Sequence, residues 1–227
     1  MSTTDTHVCR LQKTLYGLKQ APRAWYSRID TYLQDLGFEK SDADPNLYYL
    51  VDGEDPIILV LYVDDLFITG AERLIGRCKV DLAMEFEMKD INMMHYFMGM
   101  EVWQEDGRVF LGQGKYAHDI LHRFQMLDCR SMATPMTTNF GKLMASESKL
   151  VDATLYRQLI RPLMYLVNTR PDLSFAVNTL NQFMVEPRRV HWIVAKHVLR
   201  YIAGTMDYGL QYIRGDGVRL VGYSNSD

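Results

Sequence analysis

The stretch from Ile57 to Gly70 restricts this chain more than any other. An apolar run, Ile57-Ile58-Leu59-Val60-Leu61, reaches Tyr62-Val63-Asp64-Asp65 and turns apolar again at Leu66-Phe67-Ile68. Short runs rich in β-branched residues read as strands buried on at least one face. A brief polar break between two of them reads as a hairpin with the polar residues at its tip. Asp64 and Asp65 are therefore predicted side by side at the tip. Adjacent carboxylates repel each other unless a cation neutralises them, so the pair suggests a hydrated Mg²⁺ ion shared with phosphates. A polar turn carrying two solvated acids is the simpler alternative and fits most Asp-Asp pairs.

Tyr-x-Asp-Asp on such a hairpin resembles the catalytic motif of reverse transcriptases. The segment Leu11-Gln12-Lys13-Thr14-Leu15-Tyr16-Gly17-Leu18-Lys19-Gln20-Ala21-Pro22-Arg23-Ala24-Trp25-Tyr26 is similar to the Ty1/copia class of LTR retrotransposons. Further matches follow in order at Phe86-Glu87-Met88-Lys89-Asp90, Tyr96-Phe97-Met98-Gly99, Lys115-Tyr116 and Asn168-Thr169-Arg170-Pro171-Asp172, so the resemblance covers nearly all 227 residues. It implies an α+β fold: a partial reverse-transcriptase palm, an antiparallel sheet with packed helices, followed by a mainly helical thumb or connection region. The implied division is 1–130 for the partial palm with its Tyr-Val-Asp-Asp hairpin and a primer-grip-like hairpin, 131–150 for a linker, 151–208 for the helical region, and 209–227 for the start of a truncated ribonuclease H domain. Ser131 to Leu150 supports the linker, being rich in Ser, Thr and Met without clear periodicity.

The implied reaction is RNA-templated DNA synthesis from deoxynucleoside triphosphates with Mg²⁺. The implied partners are an RNA template, a DNA primer and the triphosphates. By resemblance Asp64 and Asp65 are metal-binding catalytic residues, with Asp64 the more direct ligand. Gly17, Lys19, Gln20, Tyr62 and Val63 are candidates for template or nucleotide contact, Gly17 permitting close backbone approach. Tyr96, Phe97, Met98 and Gly99 match the region that holds the primer strand. Two-metal nucleotidyl transfer in the family uses three carboxylates. The third lies on an earlier strand, upstream of the Leu-Tyr-Gly-Leu-Lys-Gln segment, where this chain has only Asp5. Negligible polymerase activity is therefore expected unless the third carboxylate is supplied in trans, since losing such a group costs on the order of 10³-fold in rate. At the other end, Val218 to Ser224 reads as the first strand of the ribonuclease H domain. Asn225 stands where its metal-binding Asp is favoured, Asp227 is a doubtful substitute, and no ribonuclease H activity is expected.

Along the rest of the chain, Val8 to Ile29 carries Arg10, Lys13, Lys19, Arg23 and Arg28 with no acid, interleaved with Tyr16, Trp25 and Tyr26, a composition suited to phosphates and bases. Trp25, Ile29, Leu33 and Leu36 recur at helical spacing, which assigns Trp25 to a core face. Pro22 suits the first turn of that helix and Gly37 its stop. Leu74, Cys78, Leu82 and Phe86 form a second stripe. His95 to Trp103 and Arg108 to Leu111 are predicted to pair around Glu105-Asp106-Gly107. A helix is expected over Lys115 to Leu127; its His118 and His122 lack a third ligand and the Glu of a zincin. Helices are expected at Ala153 to Asn168, with Asp152 as N-cap, at Asp172 to Met184, and at Arg188 to Ala203, ended by Gly204. The last has a basic side of Arg188, Arg189, Lys196 and Arg200, read as a solvated face. Pro162 falls inside a helix, where proline costs ~3 kcal/mol; a kink or drift free of selection would each explain it.

A net charge of −3 and a pI near 6.1 mean that any nucleic-acid binding must come from local patches. No apolar run approaches the roughly 20 residues of a bilayer span, so no membrane partner is expected. Cys9, Cys78 and Cys129 form no C-x-x-C pair and read as reduced thiols. With no targeting signal, a cytoplasmic or nuclear location is expected, and the missing polyprotein segments or a homo-oligomer are further partners to consider. The alternatives in function are a non-catalytic nucleic-acid-binding or interaction remnant, and a gene-model fragment that does not fold.

Overall fold

The computed structural model describes residues 15, 17–137 and 148–215. Residues 11–14 and Tyr16 of the basic segment, Asp5, Cys9, the middle of the 131–150 stretch, and Val218 to Ser224 with Asn225 and Asp227 lie outside them. The chain divides into two compact units, Met1–Ile91 and Asn92–Asp227, each with its own apolar core. The described residues of the 131–150 stretch and residues 209–215 both fall within the second unit.

In the first unit, α1 (Ala21–Asp35) opens with Pro22 in its first turn, where the missing N–H has no intrahelical partner to lose. It closes with two reversed hydrogen bonds, Gly37 N–H to Gln34 O at 2.9 Å and Phe38 N–H to Leu33 O at 3.0 Å. An antiparallel sheet follows in the order β1 (Glu39–Lys40), β2 (Leu47–Asp52), β3 (Asp55–Tyr62), β4 (Asp65–Gly70), and then α2 (Glu72–Glu85). Ile57, Leu59 and Leu61 alternate inward from β3 while Ile58 and Tyr62 are exposed, the period of two that one-sided packing requires. Ile29 and Leu33 of α1 and Leu74, Cys78 and Leu82 of α2 complete the core with Phe86. Asp30 ties α1 to the sheet by accepting from Tyr48 Oη at 2.6 Å and from Lys40 Nζ at 2.9 Å.

In the second unit, β5 (Tyr96–Phe97), β6 (Met100–Glu105), β7 (Arg108–Gly112) and β8 (Gly209–Ile213) form an antiparallel sheet in that order. The pairing of β6 with β7 around Asp106-Gly107 matches expectation. His95 to Trp103, however, is not one strand. Met98 and Gly99 take φ of 47° and 78°, the pattern of a type I′ turn, and reverse the chain between β5 and β6. β8 pairs along the whole of β7, from Arg108↔Ile213 to Gly112↔Gly209, so residues 209–213 belong to this sheet.

Helices α3 (Gly114–Arg123), α4 (Ala153–Leu166), α5 (Ser174–Asn181, preceded by a 3₁₀ turn at Pro171–Leu173) and α6 (Arg189–Ala203) share one core. Asp152 caps α4 by accepting from Thr154 N at 2.7 Å and Leu155 N at 3.2 Å. α4 runs unbroken through Pro162. The ring denies Gln158 O its usual i+4 donor, on a turn where Gln158 itself is exposed. Arg170 is 2% exposed and makes a bidentate pair with Asp172 at 2.9 and 2.7 Å, while also donating to Thr205 O at 2.7 Å and Thr205 Oγ1 at 2.8 Å. Tyr201 Oη donates to Asp172 Oδ2 at 2.9 Å. The Asn-Thr-Arg-Pro-Asp segment thus works as a buried clamp between the turn before α5 and the end of α6.

Candidate active site

The two apolar runs around Tyr62-Val63-Asp64-Asp65 pair from Ile57↔Gly70 to Tyr62↔Asp65, leaving Val63 and Asp64 as a two-residue turn. Asp64 lies in the turn and Asp65 opens β4. Both acids are exposed, and among the described residues neither side chain has an ion pair or a hydrogen bond. Val63 has a φ of 53° while Asp64 does not share the left-handed region, the φ pattern of a type II′ turn, whose first position normally holds glycine. A β-branched residue there is strained by on the order of 1–3 kcal/mol.

The turn is held from α1. Trp25 Nε1 donates to Val63 O at 2.9 Å. The indole packs edge-on against Phe86, ring centroids 5.3 Å apart, and Tyr32 meets the same Phe86 ring edge-on at 5.2 Å. The helical spacing correctly puts the Trp25 ring against the core. It carries no signal for the indole N–H, which serves the turn instead. A tryptophan just past the first turn of the helix after a glycine loop was the one available clue.

Gly17, Lys19 and Gln20 lie just before α1 and are all exposed. Gly17 has a φ of 88°, and an added Cβ there would meet nothing within 4 Å among the described residues. The backbone conformation by itself therefore favours glycine here. These three residues, Tyr62, Val63, Asp64 and Asp65 all belong to the first unit, and Trp25 links the helix that follows Gln20 to the acidic turn. Tyr96, Phe97, Met98 and Gly99 belong to the second unit. There a Cβ on Gly99 would lie 3.0 Å from Tyr165 Oη, and Tyr165 stands edge-on to Tyr116 at 5.0 Å, so α4 and α3 back the β5–β6 turn.

Other charged groups singled out by pattern have structural partners. Arg200 Nε donates to Arg130 O at 2.7 Å and Arg188 Nη1 to Ser148 O at 2.9 Å, which uses half of the basic side of α6 to fasten loops. His118 and His122 stack with centroids 6.4 Å apart. Among the described residues no group of three or more His, Cys, Asp or Glu could hold a metal ion, at this pair or at Asp64 and Asp65. No helix of the described residues is long and apolar enough to cross a membrane.

Residues 1–138 match the family of reverse transcriptases, RNA-dependent DNA polymerases. The chain is 43% identical over 222 residues to the retrovirus-related Pol polyprotein from transposon RE2 of Arabidopsis thaliana, covering 97% of this chain and 15% of the polyprotein. It is 36% identical over 235 residues to the corresponding polyprotein from transposon TNT 1-94 of Nicotiana tabacum, covering 97% and 17%. An uncharacterized mitochondrial protein of Arabidopsis thaliana is 37% identical over 170 residues, 74% of this chain and 70% of that protein. The chain therefore spans about a sixth of the length of these polyproteins. No solved structure matches it. With a family match over more than half its length, and with Pol polyproteins of transposons similar to it over 97% of its length, the chain belongs to the reverse transcriptase family, in its Ty1/copia branch.

Proposed function

We propose that the first unit is the later part of a reverse-transcriptase palm, and that Asp64 and Asp65 supply two of the carboxylates that hold Mg²⁺ for nucleotidyl transfer. The observation that carries this reading is the turn itself: two neighbouring acids, exposed and without a partner among the described residues, at the end of a fully paired hairpin. Their donor set is all oxygen, which fits a hard cation that keeps several waters and binds phosphates. When bound, the ion would neutralise phosphate charge at the reacting centre. In this reading the family's third carboxylate comes from sequence outside the chain.

Gly17, Lys19 and Gln20, with Tyr62 and Val63, are assigned to the template and the incoming deoxynucleoside triphosphate. The turn of Tyr96 to Gly99 is assigned to the primer. The helices from Ala153 onward act as thumb or connection, and residues 209–227 lead into a ribonuclease H domain. The site would operate in the cytoplasm or nucleus. Primer extension on poly(rA) annealed to oligo(dT), with Mg²⁺ and dTTP, tests the assignment. The chain alone is expected to incorporate little. Adding the upstream segment of the transposon RE2 polyprotein in trans is expected to restore incorporation to the chain, but not to its Asp64→Ala, Asp65→Ala variant. Equal incorporation by both would remove these acids from the reaction.

A further inference from the structure

One side chain joins the start of α1 to the acidic turn. Trp25 Nε1 donates to Val63 O at 2.9 Å across 38 residues of sequence. That carbonyl belongs to the peptide joining Val63 to Asp64, so the bond acts on the unit from which the Asp64 side chain departs. The ring is held in place from behind by Phe86, 5.3 Å away and edge-on. Phe86 is itself 6% exposed and is packed by Tyr32, whose hydroxyl donates to Asp81 O at 2.8 Å. The neighbouring Tyr26 Oη donates to Pro45 O at 2.7 Å, fixing the same helical turn to the loop before β2.

The acceptor needs such support. Val63 has a φ of 53° and is 67% exposed, so its own side chain contributes little packing to hold a conformation that valine disfavours. Strained backbone of this kind persists only where its surroundings over-determine it. The indole N–H supplies that restraint from another element.

We propose that Trp25 is a positioning residue: it fixes the Val63–Asp64 peptide, and with it the direction of the Asp64 carboxylate. It also makes the Gly17–Gln20 loop, one helical turn before it, and the carboxylates into one rigid body. This rests on the reading of Asp64 and Asp65 as metal ligands. Groups that orient a ligand in this way are worth roughly tenfold or more in metal affinity.

The test is Mn²⁺ binding by the whole chain, followed by the electron paramagnetic resonance signal of free Mn²⁺. Four proteins are compared: the unaltered chain, Trp25→Phe, Asp64→Asn with Asp65→Asn, and Trp25→Phe in the Asn pair. Trp25→Phe keeps an aromatic ring for Phe86 and removes the N–H. Expected are a loss of affinity of about tenfold in Trp25→Phe, loss of binding in the Asn pair, and no further effect of Trp25→Phe in that background. Loss in the Asn pair with unchanged affinity in Trp25→Phe overturns the positioning role and leaves the metal assignment standing. Binding that ignores the Asn pair overturns both. A second measurement needs no variant at residue 25. The Trp25 indole proton, assigned by exclusion with Trp103→Phe and Trp192→Phe, is expected to exchange slowly with deuterium. Exchange as fast as that of a free indole overturns the proposal.

Discussion

Val63 concentrates the physics of the site at the scale of a residue. Its left-handed φ belongs to glycine by preference, and its exposed side chain offers little compensation. Val63→Gly is therefore expected to stabilise the first unit by about 1 kcal/mol in urea unfolding, through relief of backbone strain. Destabilisation would mean that the valine side chain packs in a way the turn geometry does not indicate. The positions of Asp64 and Asp65 were legible because an apolar-polar-apolar pattern leaves few places for a hairpin to turn. The Trp25 bond was not. Periodicity reports which side of a helix a side chain occupies, and Trp25 indeed faces the core, but it is silent on which atom of that side chain finds a polar partner 38 residues away.

At the scale of elements, the stripes of α1 and α2 and the alternation of β3 were readable because each buries one face with a fixed period. The second sheet was less so. Nothing in the apolar pattern of His95 to Trp103 announces the reversal at Met98-Gly99, since it depends on two positive φ values, one of them at a methionine. β8 escaped because its partner β7 lies about a hundred residues earlier in the chain, and pairing at that separation has no local signature. The N-terminus of α6 carries a pH-sensitive device. Arg188 N–H donates to His191 Nδ1 at 3.0 Å, a bond that requires the neutral ring. Burial, and then the charge of Arg188, hold the His191 pKa below its ordinary value. A histidine kept neutral by folding contributes its full stabilisation above its unfolded pKa of about 6.5 and loses it as pH falls below that value toward the folded pKa. The second unit is accordingly expected to lose stability from pH 7 to pH 5. His191→Asn, which retains an acceptor but does not titrate, is expected to flatten that loss. An unchanged slope in thermal unfolding would place the titration elsewhere.

At the scale of the whole molecule, the chain holds two cores, and each is locked by a buried or half-buried ion network: Asp30 with Lys40 and Tyr48 in the first, Arg170 with Asp172, Tyr201 and Thr205 in the second. For Asp172, burial pushes the pKa up, but the hydrogen bonds from Arg170 and Tyr201 and the Arg170 charge together outweigh it, leaving the carboxyl below its usual range. Arg170→Ala removes a side chain that is 2% exposed and takes from Asp172 its charged partner, so a loss of roughly 3 kcal/mol from the second unit is expected in chemical denaturation. A loss within about 1 kcal/mol would show a pair that solvent screens as it does a surface one. In the first unit, paramagnetic broadening of backbone amide signals by Mn²⁺ tests whether Asp64 and Asp65 form a metal-binding turn. The strongest broadening is expected at residues 62–66, abolished by Asp64→Asn with Asp65→Asn. Broadening centred on His118, His122 or any other group, with residues 62–66 left sharp, would contradict it.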